Sequence, residues 1–348
     1  REGRLKMARI LVIAPSWVGD TVMAQPLFAR LKARLPGAHL AVFAPAWVAP
    51  VLTRMPEVDE VIASPFAHGE LALRRRWRLA RTLAGRFDWA IVLPNSLKSA
   101  LLPFFAGIPH RTGYVGEFRY GLLNDVRRLD ERALPLMVER FAWLAEKKDT
   151  PLPRPLPPPR LRVDELLRTA TLARLGLAGD PSPIAFCPGA EYGPAKRWPA
   201  HHFARLARLL AEEGHAVWLL GSPRDRPLGE AIAGESPARN LCGQTHLEEA
   251  IDLLASARAV VTNDSGLMHV AAAVQTPLVA LYGSSSPAFT PPLSEKARIL
   301  SLALPCSPCF QRVCPLGHLD CLEKLTPETV REALAALLAR RADSAGNS

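Results

Sequence analysis

Asp20, Lys196 and Asp264 are side chains that could do chemistry, each lying beyond a run of apolar residues in a stretch rich in turn formers. Asp20 ends Pro15-Ser16-Trp17-Val18-Gly19-Asp20, which follows the apolar run Met7 to Ala14. A carboxylate there can act as general base on a substrate hydroxyl within hydrogen-bond reach, or it can simply cap a helix. Lys196 and Arg197 stand in the loop Pro188 to Pro199, again after an apolar run. Cations at that place suit a leaving diphosphate, and a solvated basic loop is the plainer alternative. The stretch Thr262 to His269 carries a strand into a helix, so backbone N–H groups at Ser265 and Gly266 would point at a phosphate. Asp264 repels a phosphate, yet it can accept hydrogen bonds from sugar hydroxyls or from helix N–H groups, and the cap and ligand readings both fit.

Missing patterns narrow the chemistry. Neither G-x-G-x-x-G nor G-x-x-x-x-G-K-S/T occurs, which weakens dinucleotide redox and P-loop NTPase readings. There is no D-x-D pair to hold a divalent ion against a diphosphate, so a metal-free diphosphate site is expected. The run Arg74-Arg75-Arg76-Trp77-Arg78, with Lys98, Arg111 and Arg119, could hold an anionic acceptor, although a solvated helix face explains the run as simply. No helix-turn-helix, RRM or finger pattern supports nucleic-acid binding. Cys306-x2-Cys309-x4-Cys314-x6-Cys321, with His318 inside it, opens like half of a thiolate metal site. A structural zinc or iron–sulfur site there is weighed against reduced, free thiols, while Cys187 and Cys242 read as core residues.

These residues need elements to position them. The chain has 348 residues, 49% apolar and 22% charged, with a formal net charge of +10. That length and composition predict a globular enzyme of two domains with a surface attractive to anions. Strands are expected at Met7–Ala14, Leu40–Ala44, Val58–Ala63 and Trp89–Leu93, separated by helical patterns that imply a parallel sheet covered on both faces. A helix near Leu71–Leu83 should bury Leu73, Trp77, Ala80 and Ala84. The proline-rich residues 151–162 read as a stiff linker between domains at 7–150 and 163–341. Alternation then restarts, with strands at Pro183–Cys187, Ala216–Leu220, Ala259–Val261 and Leu278–Tyr282. A helix near Pro199–Glu213 should bury Phe203, Leu206, Ala207 and Leu210, and another begins at Asp264. The carboxyl ends of two such sheets are expected to face a shared ligand cleft. The most apolar stretch, Ala100 to Ile108, contains Pro103 and is far shorter than the ~20 residues of a membrane span. The residues before Met7 lack an apolar signal-peptide core, so Met7 reads as the start and the cytoplasm as the compartment.

Taken together, Pro15 to Asp20, Leu93-Pro94-Asn95-Ser96, Pro109-His110-Arg111-Thr112-Gly113, Arg119 to Asp125, Pro188 to Pro199 and Asn263 to His269 closely resemble the ADP-heptose:lipopolysaccharide heptosyltransferases of glycosyltransferase family 9. The likeness runs from Met7 to about Leu338 and is nearest to the members that add the second heptose. It implies a GT-B fold, two Rossmann-like domains with acceptor bound by the first and donor by the second. It further implies inverting transfer of L-glycero-D-manno-heptose from ADP-heptose to the first heptose of Kdo2-lipid A, with no cofactor required. By resemblance Asp20 is the base and Lys196 stabilises the leaving diphosphate. Glu191, Ser222, Asp264, Ser265, Gly266 and His269 would bind the donor, and Asn95, Lys98, Arg111 and Arg119 the acceptor. Because that acceptor is a membrane lipid, peripheral attachment to the inner face of the cytoplasmic membrane through basic residues is expected. A transferase acting one sugar earlier, and a non-catalytic nucleotide-sugar-binding or glycan-binding protein, are the competing readings.

Overall fold

The computed structural model describes residues 8–67 and 69–345, so Met7, read above as the start, lies outside the described residues. The chain forms two compact units that divide between Pro159 and Arg160. The first runs β1 (Arg9–Ile13), α1 (Val18–Met23), α2 (Gln25–Arg34), β2 (His39–Pro45), α3 (Ala49–Thr53), β3 (Glu60–Ser64), α4 (Leu73–Thr82), β4 (Trp89–Val92), α5 (Leu97–Phe105), β5 (His110–Tyr114), β6 (Asp125–Arg127) and α6 (Met137–Trp143). The second runs α7 (Glu165–Arg174), β7 (Ile184–Cys187), α8 (Ala200–Glu212), β8 (Val217–Leu219), α9 (Arg226–Gly234), β9 (Arg239–Asn240), α10 (Leu247–Ser256), β10 (Ala259–Asn263), α11 (Gly266–Ala273), β11 (Leu278–Tyr282), β12 (Ala297–Ser301), α12 (Asp320–Glu323) and α13 (Pro327–Ala345).

Each unit holds a six-stranded sheet among the described residues, in the orders β3-β2-β1-β4-β5-β6 and β12-β11-β10-β7-β8-β9. Every pairing is parallel. The central strands are buried on both faces, which is why they read in sequence as continuous apolar runs. In the first unit Leu11, Ile13, Ala41, Phe43 and Val92 pack on one face with Leu83, Phe87 and Leu102. In the second, Ile184, Phe186, Leu219, Val261 and Leu281 pack against Trp198, Phe203, Leu206, Ala207 and Leu210, the stripe expected of α8.

Of the stripe expected of α4, only Ala80 is buried. Arg76 and Ala80 face inward there, followed by Leu83 just past the helix, while Leu73 and Trp77 stay 49% and 53% exposed. Arg76 can be buried because its guanidinium lies 4.2 Å from the Phe66 ring centroid and donates to the carbonyls of Leu71 and Glu70. Ala84 lies beyond the end of the helix and is exposed. No helix of the described residues is long and apolar enough to cross a membrane.

Candidate active site

In both sheets the strand order reverses between two central strands, β1 and β4 in the first unit, β7 and β10 in the second. Ligands of open parallel sheets bind outside the carboxyl ends of the strands at such a reversal. Several of the residues singled out by sequence lie at these two places, each within its own unit, and others do not.

In the second unit, the segment after β7 turns through a short 3-10 helix, Pro194–Lys196, and delivers Lys196 to the end of β10. The Lys196 Nζ donates to Asp264 Oδ2 at 2.7 Å, and the Ser285 hydroxyl donates to the same oxygen at 2.5 Å. Asp264 is buried, and the Lys196 side chain is largely covered, in part by the Tyr192 ring 5.1 Å from Nζ. Asn263 fixes both ends of the loop. Its Oδ1 accepts from the Trp198 amide at 3.0 Å, and its Nδ2 donates to the Pro188 carbonyl at 2.7 Å. The helix expected from Asp264 begins later, with Ser265 as its cap and Gly266 as its first residue, because the Asp264 carboxylate is engaged by Lys196 and Ser285 rather than by helix amides. Ser265 Oγ, at the cap of α11, and Ser284 Oγ, which borders the cysteine cavity, are buried without a hydrogen-bond partner among the described residues. His269 is buried within α11, and burial drives its pKa down to about 4 against the pull of Asp264, so it is neutral at pH 7.

Glu191 lies further out, 3.8 Å from Arg224, with both side chains exposed. Ser222 follows β8, and its hydroxyl donates to Asp225 at 2.8 Å. A Cβ on Gly189 would come within 2.4 Å of the Asp225 carboxylate, so a larger residue there would push that side chain aside. From the far side, the Arg312 carbonyl accepts from the Ala195 amide and the Phe310 carbonyl from the Tyr192 hydroxyl. Ser285, Asn263, Tyr192 and Arg312 thus serve the site without having been singled out. Asn263 and Tyr192 lie within stretches quoted above without being picked out, and Ser285 within the small-residue run Gly283-Ser284-Ser285-Ser286 after β11, which by itself names no partner.

In the first unit Asp20 is the third residue of α1, whose cap is Trp17, so it sits inside the first helical turn rather than in a loop. Asn95 follows β4 and is exposed, and Lys98 is half-buried in the first turn of α5. Arg119, expected as an acceptor contact, is 2% exposed. Its guanidinium donates to the carbonyls of Pro94 and Tyr114 and, at 3.4 Å, to Asn95 Oδ1. Burial lowers its pKa, and its Nε has no hydrogen-bond partner among the described residues. Arg111 pairs opposite Ala90 near the amino end of β5, away from the reversal, with its guanidinium on the carbonyls of Leu122 and Ile108. The structure therefore brings Asn95 and Arg119 together and leaves Arg111 outside, because a parallel strand carries its first residues to the opposite edge of the sheet.

Cys306, Cys309, Cys314 and Cys321 line one cavity of about 20 Å³ together with His318. The Cys314 thiol is shifted down by backbone N–H groups of Leu319, Leu316, Gly317 and His318. Among the described residues the ligand atoms gathered within 4.8 Å of one another are those of His201, His202 and Glu323, and the four sulfurs are not drawn as close.

Residues 76–320 match the family model described as glycosyltransferase family 9 (heptosyltransferase). The lipopolysaccharide heptosyltransferase 2 of Escherichia coli K12 is 52% identical over 342 residues, covering 95% of this chain and 98% of that protein. A solved structure of the E. coli ADP-heptose LPS heptosyltransferase II matches with a TM-score of 0.87 at 50% identity, covering 96% of this chain and 99% of that one. The lipopolysaccharide heptosyltransferase 1 of Pseudomonas aeruginosa is more distant, 26% identical with 95% of this chain and 98% of that protein covered.

Proposed function

The chain belongs to glycosyltransferase family 9, the heptosyltransferases, and on that premise we propose that it moves L-glycero-D-manno-heptose from ADP-heptose onto the first heptose of the lipopolysaccharide inner core. The donor is read into the second unit and the acceptor into the first. In the reaction the acceptor hydroxyl attacks the anomeric carbon, the bond from that carbon to the β-phosphate oxygen breaks, and configuration inverts in one displacement. Asp20 takes the hydroxyl proton. Lys196 and the amides opening α11 stabilise the charge that builds on departing ADP. Asp264, oriented by Lys196 and Ser285, receives heptose hydroxyls, and neutral His269 is available as a hydrogen-bonding group near the diphosphate. Glu191 and Ser222 border the donor. On the acceptor side Asn95 and Lys98 make contact, and Arg119 positions Asn95 rather than touching the sugar.

The observation that carries this reading is the buried Lys196–Asp264–Ser285 cluster beside the start of α11, which offers a cation to a leaving diphosphate and a carboxylate to a sugar in one place. Transfer one sugar earlier is disfavoured by the lower similarity to the type 1 enzyme, 26% against 52% for type 2. Mass mapping of products from ADP-heptose and acceptors carrying no heptose or one heptose tests the choice. Addition of one heptose to the second acceptor alone is expected, and extension of the heptose-free acceptor instead would reverse it.

No step of this transfer draws on a cofactor. A zinc ion or iron–sulfur cluster at Cys306, Cys309, Cys314 and Cys321 would be structural, stiffening the segment whose Phe310 and Arg312 carbonyls brace the Lys196 loop. Metal analysis of the reduced protein checks it, with about one ion or cluster per chain expected for that reading. Because the acceptor is built on a lipid, the protein is read as working in the cytoplasm at the inner membrane face.

A further inference from the structure

Helix α4 leaves outside what its sequence pattern says should be inside. Leu73 and Trp77 are about half exposed, as are Leu71 just before the helix and Phe104 on the adjoining α5. Leu73, Arg74, Trp77, Arg78 and Phe105 line an open hollow of about 480 Å³. Its floor is apolar and its rim is cationic. Arg75 is neutralised by Glu70 at 2.9 Å, and Arg76 is turned inward, so the charge remaining on this face comes from Arg74, Arg78 and Arg81. Contiguous large apolar side chains on a surface mark an interaction site rather than a solvated face.

We propose that this face of α4 and the end of α5 is a docking surface for an anionic phospholipid bilayer. Basic helices with tryptophan and leucine on one face lie in the interface plane, where headgroup phosphates meet the arginines and the acyl boundary takes the apolar residues. Tryptophan favours that depth because its ring is apolar and its N–H polar. Phosphates of a free glycan would satisfy the arginines but leave Leu73, Trp77 and Phe104 wet. A protein partner would need an acidic rim around an apolar knob, whereas an anionic bilayer supplies both components everywhere. The proposal deepens the reading of a lipid-borne acceptor given above and adds an apolar part to its electrostatic attachment. Part of the binding should survive salt, because salt screens the arginines and not the buried apolar area.

The test uses the full chain and vesicles free of lipopolysaccharide, either phosphatidylglycerol with phosphatidylcholine or phosphatidylcholine alone. The parent should co-sediment with the anionic vesicles and keep a measurable fraction bound in high salt. Emission assigned to Trp77, by difference from Trp77→Phe, should shift to the blue and be quenched by brominated acyl chains. Leu73→Ser with Trp77→Ser should lower partitioning by about tenfold or more, while Leu73→Phe with Trp77→Phe retains it; circular dichroism and thermal midpoints report that both fold. Binding of the serine variant equal to the parent, or Trp77 emission unmoved by vesicles, overturns the proposal. So does self-association through this face without vesicle binding, which would assign it to a second copy. Turnover of a deacylated, soluble acceptor reads the enzymatic assignment separately. Turnover without vesicle binding removes only the docking surface, and vesicle binding without turnover removes only the reaction.

Discussion

Lys196 lies 2.7 Å from a buried carboxylate, so removing its charge has two consequences that separate in measurement. Lys196→Ala leaves Asp264 buried without its cation, and the fold should lose about 3 kcal/mol in urea titrations. The same change should lower kcat by about a hundredfold through loss of charge stabilisation on the leaving diphosphate. His269 adds a pH dependence of known sign. Its pKa falls from 6.5 to about 4 on burial, so the unfolded chain binds a proton that the folded chain refuses. The contribution of this group is complete above about pH 6.5 and declines as pH drops toward 4, by up to about 3 kcal/mol. Melts of the parent and of His269→Gln across that window should show the steeper decline in the parent. At this scale Lys196 and Asp264, which the structure brings together, were singled out by residue type and position after apolar runs, while the roles of these two and of Asp20 rest on the family resemblance. Ser285 was not, because its role depends on a carboxylate twenty-one positions earlier that only the β10–β11 pairing brings near.

Elements place these side chains through a few close approaches. Asn263 bridges the Pro188 carbonyl and the Trp198 amide, so Asn263→Ala strands two buried backbone groups and should cost about 2–4 kcal/mol. Gly193 admits the Arg312 carbonyl, and a Cβ there would stand 2.5 Å from that oxygen. Gly193→Ala should therefore shift the Lys196 loop and raise the donor KM by about tenfold with a smaller change in stability, as titration calorimetry with ADP would confirm. Strands were readable because β1, β7, β10 and β11 are buried on both faces and leave unbroken apolar runs. Helix α4 was misread because period alone cannot foresee that an arginine will be taken in, over Phe66 and onto backbone carbonyls. The start of α11 was misplaced because Asp264 resembles a cap until its bonds to Lys196 and Ser285 are known.

For the whole molecule, two units of one topology divide the labour proposed for them. Their shared strand order was only half visible, since alternation of strands and helices predicts parallel sheets but not which strands lie at the centre. If the second unit is the donor unit, ADP at about a hundred times its dissociation constant should slow amide exchange there by up to about a hundredfold. The strongest protection should fall around the segments that carry Lys196, Gly266 and Ser285. The central claim is that a carboxylate of the first unit deprotonates the acceptor that attacks a donor held by the second. Its most direct test is the turnover of Asp20→Asn with ADP-heptose and a mono-heptosylated core, measured beside its affinity for ADP-heptose. The account predicts donor affinity close to the parent's and turnover lower by about a thousandfold. Turnover within about tenfold of the parent, below the range that removal of a general base produces, would contradict it.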